Sequence, residues 1–164
     1  MNRESLTALF SKLGARHPEV WANSQIDEGI PQLSRFVFLR KAWNLVASSS
    51  ELSWIDECLK TKEGFPGRDI VAPLSDMLSK GIDKKDIATV VRVMQWKLLF
   101  SLCYLLDDPG PPLAEGDDVA WRLFQVDEHE LPIIAMGGLH ESVLELDPSG
   151  NEMGVHETGR QTGV

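Results

Sequence analysis

The sequence has little of what marks a secreted or membrane-spanning protein. Its 164 residues include two cysteines, Cys58 and Cys103, which form no CxxC pair, so no disulfide framework is indicated. The most apolar run, 98–106, is far shorter than the roughly 20 residues that span a bilayer. The N-terminus has polar residues where a signal peptide needs an apolar core. We therefore predict a cytoplasmic protein with no membrane association.

Recognisable catalytic motifs are also missing from the sequence. There is no glycine-rich phosphate loop, no GxSxG nucleophile elbow and no EF-hand calcium loop. His140 and Glu141 match the start of the HExxH zinc motif, but Leu144 stands where the second histidine belongs. The sequence therefore favours a protein that binds a partner and has no enzymatic activity, cofactor or bound metal.

Basic residues are scarce in the last third of the chain. Residues 1–106 hold 12 acidic and 14 basic residues, whereas residues 107–164 hold 13 acidic and two basic ones, a net charge of −11. An acidic surface attracts basic partners and repels the phosphates of nucleic acids. We expect a basic protein partner and no nucleic acid, and the charge leaves the oligomeric state open.

Helical spacing of apolar residues dominates the first two thirds of the chain. It predicts helices over 3–14, 31–48, 48–60 and 69–80, with irregular chain over 15–31. Hydrophobic residues make up 43% of the chain, which is the level of an ordinary globular protein with a core.

The strongest helix signal lies at 84–106. Its first half is amphipathic, and its second half, which includes Leu102, is apolar on nearly every side. A helix that is apolar all round is typically surrounded by protein. We predict a mainly α fold, a helical bundle around a long central helix at 84–106.

The residue pattern changes after Pro112. Apolar segments at 119–126 and 131–136 flank a polar stretch, which predicts a small C-terminal β-hairpin with a four-residue loop. A helix over 117–126 is the alternative, and 140–146 fits either a short helix or a third strand. An α+β class is therefore the second possibility for the fold.

Domain boundaries follow from the same pattern. We predict a single helical domain over 1–150 that includes an α/β appendage from about residue 113. The tail over 151–164 has three glycines and few apolar residues, so we expect it to be mobile.

Three segments of the C-terminal half carry a family resemblance. They are MQWKLLFSLCYLLDDP at 94–109, WRLFQVD at 121–127 and GLHESVLELDPSGNEM at 138–153. Together they resemble a small family of uncharacterised bacterial proteins of unknown function. The resemblance implies a bacterial origin and brings no site residues with it.

The candidate binding residues follow from the charge asymmetry. Acidic residues and a histidine cluster in the C-terminal third, and Trp96 lies on the less apolar side of its predicted helix, where partly exposed tryptophans are enriched at interfaces. The candidates are Asp127, Glu128, Glu130, His140, Glu141 and Trp96. We predict a non-enzymatic protein-binding module of the adaptor, regulator or immunity type.

Two alternatives to a binding module remain open. The acidic and histidine residues of 127–141 include oxygen and imidazole groups that could serve a small metal-dependent hydrolase. Gly81 could form the turn of a nucleic-acid-binding helix-turn-helix at 73–92, although the net charge of −9 is unfavourable for binding phosphates.

Overall fold

Helices dominate the computed structural model, which describes residues 1–108, 110, 119–150 and 152–154. Along the chain its elements are α1 (Arg3–Lys12), α2 (Pro18–Asp27), α3 (Gln32–Trp43), α4 (Ser53–Leu59), a 3-10 turn (Arg68–Ile70), α5 (Val71–Ser79), α6 (Lys84–Asp107), β1 (Leu123–Val126), β2 (Pro132–Met136) and α7 (Leu139–Ser142). The strands pair antiparallel. The predicted mainly α fold with a long helix and a small hairpin is confirmed.

Helix α2 lies where the sequence predicts irregular chain, so that prediction is wrong. Proline breaks the interior of a helix, but its fixed φ and missing N–H suit the first turn. Pro18 begins α2 in this way. Trp21 and Ala22 then bury the inner side of the helix, which compensates for its weak amphipathic pattern.

The C-terminal alternatives are settled where the structure describes them. Residues 123–126 form a strand and α7 occupies the start of 140–146. Residues 117 and 118 of the alternative helix, and residues 151 and 155–164 of the predicted tail, lie outside the described residues.

Contacts divide the chain into two compact units. Unit 1 comprises residues 1–43 and 99–164, and unit 2 comprises residues 44–98, so that α6 contributes residues to both. The single domain predicted over 1–150 stays a prediction, because compactness of contacts does not measure independent folding.

An aromatic cluster forms part of the core of unit 1. The Phe36 ring meets Phe10 and Trp21 edge to face, with centroid distances of 5.4 Å and 5.2 Å. Such edge-to-face pairs are favourable beyond the area that they bury. Helix α7 is fixed to α3 because the Trp43 indole N–H donates to the carbonyl of Val143 at 2.8 Å.

Unit 2 has a smaller core, formed by Ile55, Leu74 and Ile87 from three different helices. Two hydrogen bonds at the backbone of Ala47 join the segment between α3 and α4 to α6. The Arg92 guanidinium donates to the Ala47 carbonyl at 3.0 Å, and the Ala47 N–H donates to the Gln95 side chain at 2.6 Å.

The second half of α6 is less enclosed than its composition predicts. Leu98 and Leu102 are 60% and 48% exposed, whereas Cys103 is buried. Burial raises the pKa of the Cys103 thiol to about 11, with a smaller contribution from the Asp107 charge. The prediction that this half is surrounded by protein is therefore wrong for Leu98 and Leu102.

Among the described helices, α6 is also long and apolar enough to cross a membrane by length and composition. Only 11% of its apolar window is buried in the fold. Arg92 and Lys97 lie within the helix, and charged side chains are costly in a bilayer. The absence of membrane association stays a prediction.

Candidate functional site

The loop of the hairpin, 127–130, carries three of the predicted site residues. Asp127 organises this loop, because its carboxylate accepts hydrogen bonds from the backbone N–H groups of His129 at 2.8 Å and Leu131 at 2.9 Å. The side chains of Glu128 and Glu130 are not used in this way and are exposed. Asp127 is thus a structural residue of the loop, while Glu128 and Glu130 present charge to solvent.

Glu130 has a left-handed backbone conformation, which lets the chain reverse direction within the four-residue loop. Its φ is +62°, in the left-handed region that residues other than glycine seldom adopt. The Glu130 N–H donates to the Asp127 carbonyl at 3.1 Å, and the Asp127 N–H donates to the Leu131 carbonyl at 2.9 Å. These bonds hold the acidic loop in one conformation.

Both faces of the hairpin carry apolar residues. The register pairs Leu123 with Met136 on the face turned to the core and Phe124 with Ala135 on the opposite face. Antiparallel sheets usually place polar residues on the face that is not covered. Here the side chains that are 44–59% exposed include Phe124, Val126, Leu131 and Ile133.

A bulge contributes to this exposure. Between the Gln125–Ile134 and Val126–Pro132 pairs the register shifts, and Ile133 is the extra residue on β2. Bulges redirect side chains and are common beside functional sites. The result is a surface, called the hairpin surface below, with four exposed apolar residues and two exposed glutamates: Phe124, Val126, Leu131, Ile133, Glu128 and Glu130.

His140 and Glu141 lie elsewhere, on α7, and each has its own partner in unit 1. The His140 backbone N–H and ring Nδ1 lie 2.9 Å and 2.6 Å from Asp107 Oδ2. Glu141 lies 3.8 Å from the Arg35 guanidinium. Within the described residues, no hydrogen bond or ion pair links either residue to the acids of the hairpin loop.

Arg35 is the residue that the sequence analysis missed. It is 4% exposed, and its guanidinium donates to the Gly138 carbonyl and, at 2.8 Å, to the Ser142 hydroxyl. Burial lowers the pKa of the Arg35 guanidinium, and the nearby carboxylates of Glu141, Asp107 and Glu145 oppose that shift. Arg35 therefore stabilises the turn that leads into α7.

A sequence signal for Arg35 exists. Gln32, Arg35, Leu39 and Trp43 fall on one side of α3 at helical spacing, and all four are buried. A charged residue within an otherwise buried side of a helix is seldom tolerated without partners.

Asp107, the last residue of α6, also has a buried side chain. Its side chain is 6% exposed, and Oδ1 has no hydrogen-bond partner among the described residues. A carboxylate at the C-terminus of a helix is disfavoured by the helix dipole. Its two contacts with His140 compensate for that placement by fixing the start of α7.

A His–Asp pair orients an imidazole for proton transfer in many hydrolases, but it needs a further group to act on a substrate. The Ser142 hydroxyl is bound by Arg35. Within the described part of the chain, no group of three His, Cys, Asp or Glu residues is arranged to hold a metal ion. The geometry around His140 is accounted for by the anchoring of α7.

The surface of the predicted helix-turn-helix carries exposed apolar residues, which do not favour nucleic-acid binding. Helices α5 and α6 flank a turn in which Gly81 has a φ of +79°. Val90 and Met94 are exposed on α6, however, and apolar side chains make no contact with phosphates. Trp96 is half-buried on the same helix.

Comparison of the chain with protein-family models, with curated proteins and with solved structures finds no match.

Proposed function

We propose that this chain is a non-enzymatic protein-binding module of a bacterial cytosol, of the adaptor, regulator or immunity type. It binds its partner through the hairpin surface. The partner presents basic and apolar residues together, which complement the exposed glutamates and the apolar residues of this surface.

The observation that carries this proposal is the apolar outward face of the hairpin. Burial of apolar area contributes about 25 cal/mol per Å², so exposed side chains such as Phe124 and Ile133 represent stabilisation that folding leaves unused. Aromatic residues at the centre of interfaces frequently dominate binding energy. A partner that covers this face gains that energy.

Charge supports a basic partner. Glu128 and Glu130 are exposed in the loop of the hairpin, where His129 Nε2 lies 3.7 Å from Glu128, and neither forms an ion pair with a described lysine or arginine. The Glu141 and Glu152 carboxylates, in contrast, lie near Arg35 and Arg16. The two glutamates of the loop have no such arginine beside them and are therefore the better placed to meet a lysine or arginine of another protein.

The partner should be captured by the wild-type protein and lost from a Phe124→Ser/Ile133→Ser variant. Both residues are exposed, so their replacement changes the hairpin surface with little effect on the core. The measurement is quantitative mass spectrometry of proteins retained from a lysate of the organism that encodes the chain, with folding checked by circular dichroism.

Val20→Ser is the matched control, because Val20 is an equally exposed apolar residue on α2. The proposal expects one protein to be retained by the wild type and by this control and released by the hairpin variant. Equal retention by all three proteins, or retention of nothing that the hairpin variant loses, contradicts it.

A further inference from the structure

Unit 2 contains a groove that none of the candidate residues above accounts for. It has a volume of about 370 Å³, within the range of ligand-binding clefts. Helices α4, α5 and α6 all line it, and its walls include Trp54, Leu74, Met77, Ile87 and Val90. It is called the α5–α6 groove below.

The groove is an open continuation of the core of unit 2, with apolar residues exposed to solvent. Leu74 and Ile87 form its floor and are buried, whereas Met77, Ile82 and Val90 are 41–64% exposed. Exposed apolar patches of this kind mark interaction sites in soluble proteins. Another element placed on them would extend the small core of unit 2.

An apolar row continues from the groove along α6. Val90, Met94 and Leu98 follow one another at intervals of four residues, and all are at least 60% exposed. At 1.5 Å per residue the row is about 12 Å long, or roughly two turns of a facing helix. The exposed apolar surface is thus longer than the groove itself.

One charged residue, Asp86, belongs to the lining. It lies in the first turn of α6 and is exposed, four residues before Val90, so it stands at one end of the apolar row. A basic residue at the corresponding end of an occupant would complement it. Lys84, its neighbour on α6, is already 2.6 Å from Asp56.

We propose that the α5–α6 groove binds an amphipathic helix of a partner protein, with apolar residues at i, i+3 or i+4, and i+7 and a lysine or arginine at the end that faces Asp86. Residues 44–98 contain no strand whose edge an extended peptide could join. Methionine side chains such as Met77 and Met94 adapt their shape to the apolar residues of a helix.

This inference does not rest on the proposed function, because the residues differ from those of the hairpin surface. The probe is a library of displayed 14-residue helical peptides, selected on the full-length wild-type protein and counter-selected on a Val90→Glu/Met94→Glu variant. Both residues are exposed on one helix, so the substitutions leave the core of unit 2 in place.

The expected outcome is enrichment of peptides with the stated apolar spacing and a basic end. Affinity for such a peptide should fall at least about tenfold in the Val90→Glu/Met94→Glu variant and should be unchanged in the matched control Val20→Glu. Selection on Asp86→Lys should enrich peptides with an acidic end in place of the basic one, since the charge that they meet is reversed.

Three results would overturn the proposal. The first is an absence of enrichment over the counter-selected variant, and the second is enrichment of peptides without the apolar spacing. The third is an occupant of another kind, seen as a wild-type dimer in sedimentation that Val90→Glu/Met94→Glu dissociates, or as wild-type binding to zwitterionic lipid vesicles that the same variant loses.

Discussion

An Arg35→Met variant is expected to lose about 3–5 kcal/mol of unfolding free energy, because the buried Arg35 makes two hydrogen bonds and a hydrogen bond to a charged group contributes about 1.5–3 kcal/mol. Methionine keeps most of the aliphatic packing of arginine but removes its charge and its donors. The Gly138 carbonyl and the Ser142 hydroxyl then lose their contacts, and the buried Asp107 loses a nearby positive charge. Urea denaturation followed by circular dichroism measures the loss.

Arg40→Met is the matched control for this prediction. Arg40 lies on the same helix but is exposed, so the same change there should alter stability by no more than about 0.5 kcal/mol. Arg35→Lys should fall between the two, because it keeps the charge but cannot reproduce the geometry of a guanidinium. A loss for Arg35→Met no larger than that for Arg40→Met would show that the network does not stabilise α7.

A Leu139→Ala variant should cost about 2–5 kcal/mol, as large-to-small substitutions in a packed core do. Leu139 begins α7 and is fully buried, as is its neighbour Val143. Removal of the isobutyl group leaves a cavity that the surrounding side chains fill only in part.

Leu102→Ala provides the contrast. Composition alone predicts that Leu102 is a core residue and that its loss costs as much as that of Leu139. Because Leu102 is 48% exposed, the structure predicts a smaller loss, below about 1 kcal/mol. The same urea melts decide between the two, and equal losses would contradict the burial assigned to these residues.

The sequence predicts elements well where the signal is local. The helix at 84–106 and the turn at Gly81 follow from apolar spacing and from a position that needs a positive φ. The hairpin is equally local, since two apolar segments flank a polar loop. Helix α2 is not predicted because Pro18 is interpreted as a helix breaker, whereas a proline in the first turn favours the start of a helix.

Burial and long-range partners are not local properties, and here sequence reasoning falls short. A helix that is apolar on every side does not reveal which sides have neighbours, so Leu102 and Cys103 look alike in sequence but differ in exposure. Arg35 and Ser142 are 107 positions apart, and only the tertiary fold brings them together.

The candidate site was predictable in part. Local charge density identifies Glu128 and Glu130, but the apolar face beside them depends on the register of the hairpin. The bulge at Ile133 is part of that register. His140 and Glu141 share the acidic composition of the segment, yet their contacts with Asp107 and Arg35 serve the fold.

The association rate of the captured partner tests the binding surface most directly. Wild-type protein and a Glu128→Gln/Glu130→Gln variant are compared by stopped flow from 0.1 M to 1 M salt, with Glu19→Gln/Glu28→Gln as the control for lost charge elsewhere. Over this range the Debye length falls from about 10 Å to about 3 Å. The account predicts that the wild-type rate constant falls on the order of tenfold with salt, and that the loop variant is slow at low salt and nearly insensitive to it. Equal rates for wild type and loop variant at every salt concentration would contradict it.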